Sequence, residues 1–246
     1  MSKIAIIGGT GLTSLTNLEI VNRELVHTDF GEPSGPMTHG LLAGHEIIFL
    51  ARHGYGHTIP PHKINYRANI AALKDAGVEK IIAVNAVGGI TEKMVPEALV
   101  LPDQIIDYTW SRINTFFEEG LTQVVHIDFT NPYCEELRQQ IIKAAEVAGI
   151  PLIRPATYAA TQGPRLETTA EVKRLESDGC DLVGMTGMPE ASLARELDLC
   201  YASICVVANM AAGKGPAEIT MEEIDKNLQK GMADVRTLLE KVIALL

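Results

Sequence analysis

The feature that most constrains this chain is a set of short apolar runs that stop on polar or small residues, mostly with glycine among them. "KIAIIGG" begins at Lys3, "HEIIFLARHG" at His45, "VEKIIAVNAVGG" at Val78 and "LCYASICVVAN" at Leu199. Their apolar residues are continuous rather than alternating, which describes strands buried on both faces. "LVLPDQIIDY", "IPLIRPATYAATQG" and "CDLVGM" read as further strands. Helical patterns lie between them. "HKINYRANIAALKDAG" ends at Gly77, and "NPYCEELRQQIIKAAEVAG" is predicted to start with Asn131 as N-cap and Pro132 at the first helical position, stopping at Gly149. The C-terminal stretch opens with a Thr220–Glu223 capping box and repeats Ile224, Leu228, Met232, Val235 and Leu239 along one stripe. This alternation predicts an α/β fold: one domain over residues 1–246, with a central mixed, largely parallel β-sheet flanked by helices. Ligands collect at the carboxyl ends of strands in such sheets, which is where the polar punctuation falls.

Composition narrows the partners. A formal net charge of -10 over 246 residues argues against a nucleic-acid surface, which needs clustered Lys and Arg. A small anion in a locally basic pocket stays open. No apolar run approaches the ~20 residues needed to span a bilayer, so no membrane partner is expected. No leader pattern opens the chain, and the expected location is cytoplasmic. Cys134, Cys180, Cys200 and Cys205 form no CxxC pair and are expected to be reduced, buried thiols.

"IIGGTGLTS" follows the first strand and has the look of a dinucleotide fingerprint, but Ser14 stands where its third glycine belongs. The stretch after it, "LEIVNRELVHTDFG", reads as another strand and not as the helix that fingerprint requires. A purely structural tight turn and an anion nest of Gly8, Gly9 and Gly11, with the Thr10 hydroxyl as a further donor, both remain open. "ARHGYGHTIPPHK" sets Arg52, a bidentate fork for phosphate, and His53, a second donor, at a strand end. His53, His57 and His62 have no helical metal-ligand spacing and no nearby acid, so no metal is expected. Asn85-Ala86-Val87-Gly88-Gly89 and Gly184-Met185-Thr186-Gly187 add two more strand ends rich in N–H donors. One bound phosphate accounts economically for all four.

These residues carry a family resemblance. "IIGGTG", "LARHGYGHTIPPHKINYRANI", "GPRLET", "GMTGMPEASLARELDLCYASI" and the strand ending at Asn209 resemble the trimeric purine nucleoside phosphorylases and methylthioadenosine phosphorylases, from residue 3 to about residue 245. The resemblance implies a nucleoside phosphorylase fold and a reversible phosphorolysis in which inorganic phosphate, a co-substrate and the only cofactor-like group, attacks the anomeric carbon and releases the base. It implies that Thr10, Arg52, His53, Asn85, Ala86 and Thr186 hold phosphate. Met185 would lie against the ribose, and Leu166, Glu167, Gly184 and Asn209 around the purine, with His53, Glu167 and Asn209 closest to catalysis. It also implies a homotrimer with sites at subunit interfaces, in which His126 reaches the 5′ end of a neighbour's substrate.

Two departures within the resemblance set the expected substrate. Methylthioadenosine phosphorylases carry Asp-x-Asp at the last strand end, where this sequence reads Asn209-Met210-Ala211. An amide both donates and accepts, whereas an ionised carboxylate only accepts; the amide suits a purine with O6 and a protonated N7. Glu167 points the same way, as an acceptor for the N1–H that adenine lacks, although an acid at a helix N-terminus is also favoured by the dipole alone. Ordinary purine nucleoside phosphorylases of the family place a His at the 5′-hydroxyl; a gapped match puts Met221 and Ile224 there, suited to a methylthio group or, equally, to a core stripe. Together these imply phosphorolysis of 5′-methylthioinosine. A broad inosine/guanosine phosphorylase, a methylthioadenosine phosphorylase and a binding protein without turnover are the rivals.

Overall fold

The computed structural model describes residues 3–12, 15–215 and 218–246, so Ser14 lies outside the described residues. In chain order the strands are β1 (Ile4–Gly8), β2 (Glu19–Glu24), β3 (Met37–Leu42), β4 (His45–Ala51), β5 (Lys80–Gly89), β6 (Leu99–Val100), β7 (Gln104–Asp107), β8 (Leu152–Ile153), β9 (Thr157–Ala160), β10 (Leu182–Gly184) and β11 (Cys200–Met210). The helices are α1 (Tyr66–Asp75), α2 (Glu135–Ala148), α3 (Thr169–Ser177), α4 (Gly187–Glu196) and α5 (Met221–Ile243). The strands join one sheet in the order β2-β3-β4-β1-β5-β10-β9-β7, with β11 also on β5, β6 on β11 and β8 on β6. Pairings of β1 with β4 and β5, of β5 with β11, of β9 with β7 and β10, and of β6 with β8 are parallel. Those of β3 with β2 and β4, of β5 with β10, and of β6 with β11 are antiparallel. The sheet is therefore mixed and largely parallel, as expected.

Both faces are covered, which is why the strands read as unbroken apolar runs. Ile4, Ile6, Val84, Ile204 and Val206 pack under α2 and α5, and Ala5, Ile7, Ile81, Cys205 and Val207 under α1 and α4. Helix α5 buries all five stripe residues, and Thr220 caps it by accepting from the Glu223 N–H. Gly77 and Gly149 follow α1 and α2 in the left-handed region, where glycine carries no Cβ penalty. No described helix is long and apolar enough to cross a membrane.

Four expectations need correction. Helix α2 starts at Glu135 with Cys134 as N-cap, not at Asn131. The residues before it are held against β11 instead: Tyr133 stacks on Tyr201, and the Cys134 N–H donates to the Tyr201 carbonyl. That docking explains the second correction: Cys134 and Cys200 are joined as a disulfide, their Cα atoms 5.1 Å apart, while Cys180 and Cys205 are free and buried. Third, "LVLPDQIIDY" and "IPLIRPATYAATQG" each divide into two short strands around Pro102 and Pro155, where the missing N–H interrupts the ladder. Fourth, β3 was not foreseen as a strand. It forms a hairpin with β4 through Ala43 and Gly44, whose φ angles are 51° and 81°.

Positive φ at both loop positions defines a mirror-image turn, which favours Asn-Gly over Ala-Gly. Ala43→Asn is expected to raise unfolding stability by about 1 kcal/mol. A urea midpoint that stays put or falls would show that the turn holds alanine without strain.

Candidate active site

A step in the sheet makes the site. The pairing of β1 with β5 stops at Ile7 and Ala83, but β5 and β11 stay paired as far as Gly89 and Met210. Val84 is the first β5 residue past the last of those pairs, and its carbonyl needs a new donor. Arg52 supplies it: Nη1 donates to the Val84 oxygen at 3.0 Å, and the Arg52 backbone N–H donates to Gly8. Gly9 closes the corner. A Cβ there would stand 2.6 Å from the Val84 oxygen and 2.7 Å from Arg52 Nη1. Above the step lies a cavity of about 560 Å³ lined by residues from several strand ends.

The Arg52 side chain is fully buried, so its charge requires a partner. Glu190, equally buried in the first turn of α4, accepts from Nε at 2.6 Å and from Nη2 at 2.8 Å, and Tyr201 donates its phenol proton to the same carboxylate at 2.8 Å. Burial works against the guanidinium charge, but Glu190 outweighs it and raises the Arg52 pKa above its ordinary value. Three of the five guanidinium N–H groups are thus committed, leaving one on Nη1 and one on Nη2 for a ligand.

His53 lies beside it with its Nδ1 2.8 Å from the Ile59 carbonyl, which fixes the proton on Nδ1. Burial, offset in part by that bond and reinforced by Arg52 and His57, lowers its pKa to about 4. The ring is neutral near pH 7 and Nε2 is an acceptor, whereas a donor was expected. Thr10 and Thr186 also line the cavity. Asn85 does not: it is buried behind Thr186, with its Oδ1 3.5 Å from the Thr186 hydroxyl and its amide donating to Ser203. Ala86 does line it. The expected nest contracts to Gly9 and Thr10, because Gly11, at φ 81°, faces Leu228 and Met232 of α5 instead.

The opposite end is built by β11 and the loop before α3. The β5–β11 register shifts between Val207 and Asn209, a bulge at Ala208. Ala202, Ile204, Val206 and Ala208 face α2 and α5, while Tyr201, Cys205 and Val207 face the other core. The bulge breaks that alternation, and Ala208 and Asn209 line the same cavity. Asn209 Nδ2 donates to the Met210 carbonyl at 2.8 Å, leaving its second N–H and its Oδ1. Glu167 shares this end and accepts from the Thr161 hydroxyl at 2.6 Å. It does not cap α3: Thr168 and Glu171 form that capping box between themselves. Leu166, Gly184 and Met185 complete the wall, with Ile224 buried and Met221 exposed at the mouth. A Cβ on Gly184 would fall 2.1 Å from the Tyr158 hydroxyl. Among the described residues, no three His, Cys, Asp or Glu side chains gather at a metal-sized site.

His126 lies outside the cavity. It is exposed, within residues 108–134, which form neither helix nor strand. The residue that sequence reasoning missed is Glu190. Its position inside "GMPEAS" has no distinguishing spacing, and the signal for it is indirect: a buried arginine must find a carboxylate.

Fold and cavity together define a nucleoside phosphorylase. The chain superposes on a methylthioadenosine phosphorylase from Schistosoma mansoni in complex with adenine, with a TM-score of 0.96 and 35% identity, covering 100% of this chain and 92% of that one. It belongs to the phosphorylase superfamily, whose family model matches residues 3–244. It is 54% identical over 237 residues, 96% of this chain and 95% of the relative, to a probable S-methyl-5′-thioinosine phosphorylase of Xanthomonas campestris. It is 47% identical over 251 residues, 100% of this chain and 94% of the relative, to a 6-oxopurine nucleoside phosphorylase of Pyrococcus furiosus. The chain is therefore an enzyme of the pentosyltransferase type and not a binding protein without turnover.

Because Glu190 neutralises a fully buried cation, Glu190→Gln leaves that charge uncompensated in nearly unchanged volume. Stability is expected to fall by about 3–5 kcal/mol in denaturant unfolding. A loss below 1 kcal/mol would mean that the pair does not anchor Arg52.

Proposed function

We propose that this chain, working as one domain, cleaves S-methyl-5′-thioinosine with phosphate, giving hypoxanthine and 5-methylthioribose 1-phosphate. The observation that carries the base assignment is Asn209 in the cavity with one N–H and Oδ1 uncommitted, facing a site shared with Glu167. The free N–H matches O6, Oδ1 matches the N–H at N7, and the Glu167 carboxylate matches N1–H. Adenine offers an NH2 group at position 6 and no N1 proton, so it leaves buried groups unpaired at about 1–3 kcal/mol each. The 54% identical relative from Xanthomonas campestris, a probable S-methyl-5′-thioinosine phosphorylase, supports the same reading.

The reaction breaks the C1′–N9 bond and forms a bond from C1′ to a phosphate oxygen. Cationic character on the sugar and negative charge on the base develop together. Phosphate is the nucleophile, so the protein supplies no covalent one; it supplies position and charge. The two free guanidinium N–H groups of Arg52 and the hydroxyls of Thr10 and Thr186 hold the anion, with the backbone at Ala86 beside it. Neutral His53 accepts a hydrogen bond at Nε2 from the P–OH of the monoanion. Met185 rests on the ribose. Ile224 and Met221 receive the methylthio group by packing.

Met221 is 65% exposed on its own subunit, and Trp110, Ile113, Val124 and Val125 are exposed on the segment that carries His126. A homotrimer that covers these side chains and brings His126 to a neighbour's 5′ end suits both facts. Light scattering is expected to give three times the 26.6 kDa chain mass, and His126→Ala to lose activity while keeping that mass; a fully active monomer would rule this arrangement out.

The deciding assay compares phosphate-dependent turnover of S-methyl-5′-thioinosine, S-methyl-5′-thioadenosine, inosine and guanosine, with Asn209→Asp alongside. The methylthio oxopurine is expected to be best, and Asn209→Asp to narrow its lead over the adenine analogue by roughly tenfold or more. Better turnover of the adenine analogue would refute the base assignment; better turnover of inosine would refute the 5′ assignment.

A further inference from the structure

The bulge that places Asn209 has a support of its own. Where a strand bulges, one residue leaves the ladder, and its buried carbonyl must find a donor elsewhere. Here that residue is Ala208, and the donor is Asn227, whose Nδ2 reaches the Ala208 oxygen at 2.8 Å from α5. Asn227 is itself buried, a polar residue in the apolar stripe between Ile224 and Leu228. An amide in such a place is destabilising unless its bond is made. Gly231, one turn further on, brings the helix close enough: a Cβ there would sit 2.4 Å from Val206 Cγ1. The residue before the bulge is fixed separately, because the Val207 N–H donates to Ala98 and the Val207 carbonyl accepts from Glu97. Asn227 thus grips the bulged peptide itself from outside the strand.

We infer that Asn227 is a positioning residue for base selection: by holding the Ala208 carbonyl it sets the direction in which Asn209 meets the purine. This rests on the base-reading role proposed for Asn209. Asn227 touches no substrate, so it acts on the accuracy of the amide and not on the phosphate end. Loss of its bond lets the Ala208–Asn209 peptide turn, and the amide then discriminates O6 from a 6-amino group less sharply.

The test is a double-mutant cycle read as the ratio of kcat/KM for S-methyl-5′-thioinosine over S-methyl-5′-thioadenosine. Asn227→Asp keeps the shape but sets an acceptor against the Ala208 carbonyl. It is expected to lower the ratio roughly tenfold in the parent enzyme and to leave it nearly unchanged in an Asn209→Ala background. Asn227→Gln, which keeps the amide donor, should recover part of the ratio. A helix contact that served stability alone would lower both kcat/KM values together and leave the ratio intact, which would overturn the inference. An equal fall in both backgrounds would overturn it as well, because the effect would not pass through Asn209. If Asn209→Ala itself leaves the ratio unchanged, the base-reading role fails first and this inference falls with it. Asn227→Ser, a smaller hydroxyl donor, decides in the same assay if Asn227→Asp does not accumulate as folded protein, with an unchanged ratio again counting against the inference.

Discussion

The buried carbonyl of Val84, just past the last pair between β1 and β5, is the constraint on which the site depends. A parallel sheet with even edges would satisfy every backbone group and offer no recess. Ending one strand early while its neighbours continue opens a recess and leaves an unpaired acceptor at its floor. Arg52 answers that acceptor, and burying the guanidinium then calls for Glu190, which in turn engages Tyr201. The proposed anion end of the cavity is therefore a by-product of sheet geometry: the two N–H groups left over on Arg52 are what the backbone and the carboxylate did not use.

The other end solves a different problem. Discrimination between two purines of nearly equal shape cannot come from volume; it comes from the sign of each hydrogen-bonding group. An amide has both signs, but its use depends on which way it points. The bulge at Ala208 gives Asn209 that direction, and the Met210 carbonyl holds one of its protons, so the face presented to the cavity is fixed before any base arrives. Glu167 is similarly settled by Thr161, while Thr168 and Glu171 cap α3 between themselves.

Much of this was legible from residue order alone. Unbroken apolar runs gave the two-sided sheet, glycines marked the ends of α1 and α2, and the α5 stripe is buried as its spacing required. Arg52, Thr10 and Asn209 reach one cavity from the ends of the parallel strands β4, β1 and β11, and Thr186 and Glu167 reach it from β10 and β9, which run the other way against β5. What the sequence concealed depends on contacts between distant segments. Glu190 lies 138 residues from the arginine it neutralises. The disulfide joins cysteines 66 residues apart. Gly11, read as part of an anion nest, instead turns at positive φ against α5, and the His53 proton sits on the nitrogen that Ile59 selects. A bulge leaves no trace in a run such as "CVVANM", since every residue in it suits a strand.

Helix α5 supports the cavity at three points: Leu228 and Met232 back the Gly11 turn beside it, Asn227 holds the Ala208 peptide, and Ile224 lines it directly. All eleven strands precede it in the chain. During synthesis, then, the sheet can assemble while its catalytic recess is still lacking a wall, and a chain ending before residue 221 would carry the arginine and the amide without the surface that keeps them in register. The recess closes only when α5 docks.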